Sequence, residues 1–222
     1  FSMGLSTSFT GEDSLDVAVI GGNAGTTAVD GYMGGDDTSD ALMLDGISYT
    51  FPLGGATVIV GDGVGVDDMN TGACAYSAFT DLVSDCGANS VGGSADSGFA
   101  IGYDFGNGFT LAGGAAGGTG TDGLFTEEDA STIGLEAAYT ADTYGVSVAY
   151  TDDEATTYWS IQAMLAPEGF PSISAGYETD DDDADAIFAG LTFGEVGPGS
   201  VSVGIASTDL SSDDYYQYEL AY

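Results

Sequence analysis

Two cysteines and several runs of carboxylates are the side chains of this sequence with the clearest capacity for chemistry. Cys74 and Cys86 lie in one stretch that is rich in small and acidic residues. Their spacing, in a chain whose pattern is typical of exported proteins, predicts a disulfide bond within a loop. Two separate buried thiols are the alternative. A catalytic thiol is not expected, because no base is present to activate it.

The densest run of carboxylates lies between residues 179 and 186. Carboxylate oxygens are the ligands that Ca²⁺ and Mg²⁺ prefer, so we predict weak binding of one of these ions there, without the spacing of an EF-hand loop. The candidate ligands are Asp180, Asp181, Asp182, Asp183 and Asp185. Solvated loop charge is the alternative explanation, and neither explanation requires a cofactor for folding or function.

The composition excludes most catalytic and binding chemistries. The 222 residues include 36 Asp and Glu but no Lys, Arg or His, which gives a formal net charge of −36. Catalytic triads, Schiff bases and P-loops each need one of the missing residue types, and no spacing selects a carboxylate pair for glycoside hydrolysis. We therefore predict that the protein is not an enzyme. Nucleic acid is excluded as a partner, because no side chain can neutralise its phosphates.

A period of two dominates the sequence. Ile133 and Leu135, for example, alternate with Gly134 and Glu136, which indicates a β-strand with two different faces. The same rule predicts little helix and about thirteen strands, at 2–10, 14–22, 44–53, 56–64, 98–105, 108–116, 132–140, 144–151, 157–166, 171–178, 186–194, 199–208 and 215–222. Tight turns and long acidic loops (among them 65–97, 151–157 and 179–186) alternate in places along the chain, which is typical of outer-membrane barrels.

The predicted fold class is all-β: an antiparallel up-and-down barrel of the transmembrane type with about 12–16 strands, in one domain covering residues 1–222. Bacterial single-chain barrels normally have an even number of strands, whereas the pattern yields an odd number. Three explanations are open: one strand is miscounted, the chain is a fragment, or the barrel closes with another subunit. An incomplete barrel would keep open edges. Open edges invite the addition of a strand from another copy.

The two faces of the predicted strands differ in size and polarity. One face carries large apolar side chains such as Ile101 and Phe193, and the other carries Gly, Ala, Ser and Thr with scattered acids. In a membrane barrel the apolar face contacts lipid and the small face lines the lumen. The residues predicted to line a pore are Asp16, Asp104, Glu136, Gln162 and Glu219. A hydrated position near the rim is the alternative for the acidic ones.

Four segments resemble a known family. LSTSFTGEDSLDVAVIGGN (5–23) is similar to the signature TSFTGKDLLRTRLQAGN of cyanobacterial outer-membrane porins. ISYTFPLGGATVIVG (47–61) with VDDM (66–69), PSISAGYE (171–178) after YWSIQAML, and YYQYELAY (215–222) resemble later strands of that family. The resemblance implies a β-barrel that passes ions and small solutes across the outer membrane. The basic residues and the surface-layer-homology domain of the family have no counterpart in these 222 residues.

Two functions follow as expectations. The first is a cation-selective porin that contacts outer-membrane lipid and forms a homo-oligomer, either a trimer or a polymer. It would lie in the outer membrane or at the cell surface of a Gram-negative-type bacterium, and the family resemblance implies a cyanobacterium. The second is a secreted, self-assembling β-rich subunit of an extracellular fibre, tube or surface layer that divalent cations stabilise. The absence of Lys and Arg removes every trypsin site, and this favours the second expectation more than the first.

Overall fold

The computed structural model describes residues 1–23, 37–76, 86, 97–117, 131–182, 184–210 and 213–222. This part of the chain is all-β, as the period of two predicted. It contains thirteen strands: β1 (Ser2–Thr7), β2 (Ser14–Ile20), β3 (Met43–Leu53), β4 (Ala56–Asp62), β5 (Ser97–Asp104), β6 (Phe109–Gly117), β7 (Ser131–Thr140), β8 (Tyr144–Asp152), β9 (Thr157–Leu165), β10 (Ser172–Asp180), β11 (Asp185–Val196), β12 (Gly199–Leu210) and β13 (Asp213–Ala221). Every predicted strand is confirmed, with ends that differ by a few residues. No helix in these ranges has the length and apolar character that would let it cross a bilayer.

All the strands belong to one sheet, in which each strand is antiparallel to its neighbours along the chain. The predicted up-and-down order is therefore confirmed. Within the described ranges no ladder of hydrogen bonds joins β1 to β13, so these two strands are the edges of an open sheet. The open-edged form of the predicted fold is the one observed. Because an even number of reversals separates them, both edge strands run in the same direction.

The sheet exposes its large side chains and buries its small ones. Along β7, Leu135 is 56 % exposed, whereas the next residue, Glu136, is 6 % exposed. Exposed apolar residues that follow this alternation are Ile101, Leu111, Val148, Ile161, Ile173, Ile187, Leu191, Val203 and Ile205. Buried small residues of the opposite face are Ala100, Ala112, Ala138, Ser147, Ala149, Ser160, Ser174, Ser202 and Ala206. Water-soluble domains bury their large apolar side chains instead.

Two predicted loops are shorter than the acidic composition suggested. The loops expected at 151–157 and 179–186 cover only 153–156 and 181–184. Carboxylates shorten them, because an Asp side chain can accept hydrogen bonds from backbone N–H groups two to four residues onward. Asp153 Oδ1 accepts from the N–H of Thr156 at 2.7 Å. Asp180 Oδ1 accepts from the N–H of Ala184 at 2.8 Å.

The carboxylate of Asp13 organises the turn between β1 and β2, and this turn ends the first predicted strand at Thr7 rather than at residue 10. Oδ1 accepts hydrogen bonds from Ser8 Oγ at 2.7 Å and from the N–H of Thr10 at 2.8 Å. Oδ2 accepts from the hydroxyl of Tyr49, on β3, at 2.6 Å. The bonds from Ser8, then Tyr49, then Thr10 hold the pKa of Asp13 well below its ordinary value.

Replacing Asp13 with Asn is expected to destabilise the sheet at neutral pH, because an amide cannot accept all of these hydrogen bonds. A depressed carboxyl pKa contributes stability above its unfolded value of 3.8, and that stability is lost as the pH falls towards the folded pKa. The midpoint of urea unfolding in detergent micelles should therefore differ between native protein and variant at about pH 7, and the difference should shrink towards about pH 2. Asp142→Asn, in an exposed turn on the same rim, is the control and should leave the midpoint unchanged. A difference that does not depend on pH would contradict this account.

Candidate functional site

A segment that follows β4 folds inwards and crosses the small-residue face of the sheet. Residues 63–76, called the inner segment, contact strands from β5 to β13. Val64 and Val66 are each 1 % exposed, and Ala73 is fully buried. The small residues of the inner face are thus covered by a second layer of this same chain.

Glycines of the sheet allow this close approach. A Cβ placed on Gly114, in β6, would lie 2.7 Å from the carbonyl oxygen of Val66. A Cβ on Gly134, in β7, would lie 2.6 Å from Cγ2 of the same valine. Side-chain carbons do not approach other atoms so closely, so only glycine leaves room for the inner segment at these two positions.

Glu136 holds the middle of the inner segment. Its carboxylate accepts hydrogen bonds from the N–H groups of Thr71, at 2.6 Å, and Gly72, at 2.8 Å. Hydrogen bonds to a charged acceptor are stronger than those between neutral groups. This buried acid of β7 therefore fixes the backbone of the inner segment at the centre of the sheet.

Three further strands hold the next residues in order. Gln162 Oε1, on β9, accepts from the N–H of Ala73 at 3.2 Å. Ser174 Oγ, on β10, accepts from the N–H of Ala75 at 2.8 Å. The hydroxyl of Tyr76 donates to Glu219 Oε1, on β13, at 3.1 Å. The inner segment therefore runs across the strands, and a different strand binds it at each step.

The predicted disulfide between Cys74 and Cys86 is present and ties the inner segment to a later part of the loop. Cys86 is 1 % exposed and packs against Phe188 and Ala206, with Tyr76 beside them. The rings of Tyr76 and Phe188 meet edge to face, with centroids 5.1 Å apart. The end of the inner segment is thus held by a covalent bond and an apolar cluster as well as by hydrogen bonds.

Two cavities with carboxylates in their lining border the inner segment. The central cavity, of about 280 Å³, lies between the inner segment and β7–β9, and its lining includes Asp67, Asn70, Glu136, Ser160 and Gln162. The acidic cavity, of about 430 Å³, lies between the start of the inner segment and β1–β4. Its carboxylates are Asp16, Asp45, Asp62 and Asp68.

The inner segment carries two groups with perturbed titration. Loss of hydration raises the pKa of Asp68, and the neighbouring charge of Asp67 adds to this, while a hydrogen bond from the N–H of Gly65 acts in the opposite direction. Burial raises the pKa of Tyr76 well above its ordinary range, and the hydrogen bond and charge of Glu219 act in the same direction. Tyr76 therefore stays protonated and remains a donor to Glu219 at any physiological pH.

The five residues predicted to line a pore fall into three places. Glu136, Gln162 and Glu219 lie together beneath the inner segment. Asp16 borders the acidic cavity and accepts a hydrogen bond from Ser14 Oγ at 2.6 Å. Asp104, the exposed last residue of β5, lies apart from the others, and its Oδ1 accepts a hydrogen bond from the N–H of Gly106 at 2.7 Å.

The predicted metal ligands take part in turn formation. Asp180 Oδ1 accepts from the N–H of Asp182 at 2.9 Å, and Asp181 Oδ1 accepts from the N–H of Thr157 at 2.9 Å. Asp185 begins β11, and Asp183 lies outside the described residues. In the described ranges, no three His, Cys, Asp or Glu side chains converge closely enough to hold a metal ion. Binding of Ca²⁺ or Mg²⁺ at this turn stays a prediction.

Sequence reasoning did not find the inner segment or the residues that it brings to the cavities. Asp67, Asn70 and Asp68 lie in a stretch with no regular period, and Ser160 and Ser174 look like any other small residue of a strand. The available signal was the row of glycines facing inwards at 98, 114 and 134. Glycine within a strand often marks the close approach of another backbone.

Comparisons with known proteins give likenesses in structure alone. No family model matches this sequence, and no curated protein matches it. Solved structures of variants of the Rh. blastica porin are similar, with TM-scores of 0.48. Two of them share 13% and 14% of their residues with this chain, and each match covers 99% of this chain and 87% of the porin. These matches do not show the cyanobacterial porin family, and the resemblance to it stays a prediction.

Substituting Gly114 with Ala is expected to displace the inner segment, because the new Cβ meets the backbone of Val66 and backbone cannot move aside at little cost. Overpacking of this kind destabilises by about 1–3 kcal/mol. Urea unfolding in detergent micelles measures the change. Gly194→Ala is the matched control, since a Cβ there meets no atom within 4 Å. Equal stability of the two variants would show that the inner segment does not lie on the sheet.

Exchanging Glu136 for Gln should free the middle of the inner segment, because the amide presents one acceptor and one donor to two N–H groups. Loss of a hydrogen bond to a charged group costs about 1.5–3 kcal/mol, so amide hydrogens of Thr71 and Gly72 should exchange about tenfold faster or more. Hydrogen exchange with mass spectrometry measures this. Asp104→Asn removes one carboxylate charge at the remote, exposed end of β5 and should leave the exchange of Thr71 and Gly72 unchanged. Unchanged exchange in Glu136→Gln would disprove the role of this acid.

Proposed function

We propose that this protein is an outer-membrane channel of the porin type, which passes small solutes and admits cations in preference to anions. The observation that carries the proposal is the exposure of large apolar side chains over the outer face of the sheet while small and polar residues are buried within. Such a surface is stable in contact with hydrocarbon and unstable in water. The alternation of an apolar lipid face with a polar lumen face defines outer-membrane barrels.

Aromatic side chains support a position across a membrane. Phe109, Tyr139 and Tyr144 form a contact series near the short-turn ends of β6, β7 and β8, with ring centroids 4.7 and 5.8 Å apart. Tyr150 and Trp159 meet at the opposite ends of β8 and β9, with centroids 4.7 Å apart. Aromatic rings favour the two interfaces of a bilayer, and aliphatic residues such as Val146 and Val148 lie between these two groups.

The inner segment would narrow the passage through such a channel. It lies over β5–β13 and leaves the acidic cavity beside β1–β4. We infer that solutes pass along this side, between the inner segment and the first four strands. The carboxylates of Asp16, Asp62 and Asp68 would give the route a negative potential, which attracts cations and repels anions. The acids Glu136 and Glu219 hold the inner segment in place.

Several finer proposals follow from the first. The protein would contact outer-membrane lipid in a Gram-negative-type bacterium, and the motif resemblance favours a cyanobacterium. It would form a homo-oligomer, for which a trimer is our proposal. It would perform no chemical transformation, because the chain has none of the Lys, Arg and His residues on which catalytic triads, Schiff bases and P-loops depend.

Planar bilayers test the channel directly. Detergent-extracted protein should insert and give stepwise conductance in KCl, and a KCl gradient should give a reversal potential of the sign that K⁺ permeation produces. Asp62→Asn combined with Asp68→Asn should move that potential towards zero. Asp104→Asn combined with Asp142→Asn removes the same charge from exposed positions at the short-turn rim and is the control, with a smaller shift expected. Absence of conductance from inserted protein would refute the channel.

The second candidate function is self-assembly, and the free edges of β1 and β13 favour it. Unpaired strand edges accept strands from other molecules, and copies that pack through their outer faces would cover the apolar surface without lipid. Electron microscopy separates the two functions. Filaments that form without detergent and come apart in EDTA support assembly, whereas single particles that need detergent support the channel.

A further inference from the structure

The two cysteines of the Cys74–Cys86 disulfide lie in different environments. Cys74 is an exposed residue of the inner segment and borders the central cavity. Cys86 is 1 % exposed. It packs against Phe188 and Ala206, with Tyr76 beside them. A small molecule that enters the interior of the sheet can therefore reach Cys74, whereas side chains of this same chain cover Cys86.

This difference decides how a thiol reacts with the bond. Thiol–disulfide exchange begins when a thiolate attacks one sulfur, and its rate depends on which sulfur is accessible and on how readily the other leaves as a thiolate. The apolar cluster around Cys86 blocks attack at that sulfur. Attack at Cys74 expels Cys86 into apolar surroundings, where a thiol loses its proton less readily than in water. The bond is therefore open to attack at Cys74 alone, on a time scale of about minutes to hours.

The charge of the chain selects among attacking thiols. The chain carries 36 Asp and Glu but no Lys, Arg or His, and Asp67 and Glu136 lie close to Cys74. This field repels a thiolate that carries a second negative group. An ammonium group on the attacking molecule offsets the charge of its own thiolate. Small thiols whose other groups are neutral or positively charged therefore react faster at Cys74 than small anionic thiols do.

We propose that Cys74 is a modification site at which small non-anionic thiols form a mixed disulfide with this protein. The attacking thiol loses its proton and forms a new S–S bond with Cys74 Sγ. The bond between Cys74 and Cys86 breaks, and its electron pair stays on the sulfur of Cys86. That sulfur takes up a proton and becomes a buried thiol. No separate oxidant or reductant is consumed, because one disulfide replaces another.

The modification releases the end of the inner segment. Cys86 in its apolar cluster behaves as a small hydrophobic residue and forms little thiolate, so it attacks the mixed disulfide slowly. The covalent bond between the inner segment and this cluster is then lost, while Glu136 still holds Thr71 and Gly72. Residues 73–76 are therefore loosened. An effect on conductance would rest on the proposed channel function, but the modification does not.

Mass spectrometry of the detergent-solubilised full chain tests the site after incubation with cysteamine and its own disulfide, cystamine. Acid quenching stops the exchange, and pepsin then cleaves the chain, which has no trypsin site. The cysteamine adduct should lie on Cys74 alone, with Cys86 as a free thiol. An adduct on Cys86, equal adducts on both residues, or a bond that reacts only after the protein is unfolded would overturn the proposal.

Rates with two thiols test the selection by charge. The rate constant for cysteamine divided by that for 2-mercaptoethanesulfonate should exceed the same ratio for a small uncharged disulfide by about tenfold or more at low ionic strength. The excess should shrink in about 1 M KCl, because salt screens the field. Asp67→Asn should reduce the excess, whereas Asp104→Asn, at the exposed end of β5, should not. Equal ratios for the protein and the small disulfide would refute this selection.

Two variants of β11 test the shielding of Cys86. Phe188→Ala removes the ring that packs against this residue, so the adduct should then form on Cys86 as well as on Cys74. Phe193→Ala removes an exposed ring of the same strand and should leave the adduct on Cys74 alone. The same pattern in both variants would disprove the shielding. If Phe188→Ala does not fold, the position of the adduct in the native chain decides the question.

Hydrogen exchange of the modified chain tests the release of the inner segment. The amide hydrogens of Ala73 and Ala75 should exchange about tenfold faster or more than in the native chain, because the covalent bond no longer restricts local opening. Those of Thr71 and Gly72 should not change, because Glu136 still binds them. Unchanged exchange at Ala73 and Ala75 would show that the disulfide does not hold this part of the segment.

Discussion

The absence of any cationic side chain is the constraint on which this structure depends. A carboxylate that leaves water must be met by N–H and O–H groups, because the chain has no Lys, Arg or His to pair with it. Asp13 receives such bonds from a turn, Glu136 from two backbone amides, and Glu219 from a tyrosine. Each of these acids thereby fixes a stretch of backbone. In this chain, carboxylates do the organising that salt bridges do elsewhere.

Small residues on the inner face are the second requirement, because they let the inner segment approach the sheet. Hydrogen bonds from strands to a crossing segment require that its backbone come within about 3 Å of the wall. Gly114 and Gly134 permit that distance at Val66. The alternation of large and small residues therefore has two consequences. The outer face is suited to contact with lipid, and the inner face is flat enough for the inner segment to pack against it. The central and acidic cavities both border the inner segment, so they exist only because that segment is held against the inner face.

The strands were predictable and the inner segment was not, for a physical reason. In a strand with one apolar face, apolar and small or polar residues alternate along the sequence. The alternation around Ile133 therefore identifies β7 without further context. The same pattern correctly turned Glu136, Gln162 and Glu219 inwards. These three residues, however, contact residues 71–76, from which they are separated by 64 to 143 positions along the chain. No local pattern records such distances, and so the path of the inner segment became visible only in three dimensions.

The order of the anchors along the inner segment has a consequence for the time course of folding. The partner of residues 71 and 72 lies on β7, that of residue 73 on β9, that of residue 75 on β10, and that of Tyr76 on β13. Contacts between distant residues form late, because a longer stretch of chain must first be closed. If the sheet grows from its N-terminal edge, the hydrogen bonds that hold the inner segment would therefore form one after another, each when its strand joins the sheet. The last of these bonds, from Tyr76 to Glu219, requires β13. The interior would therefore reach its final arrangement only after β13 has joined the sheet.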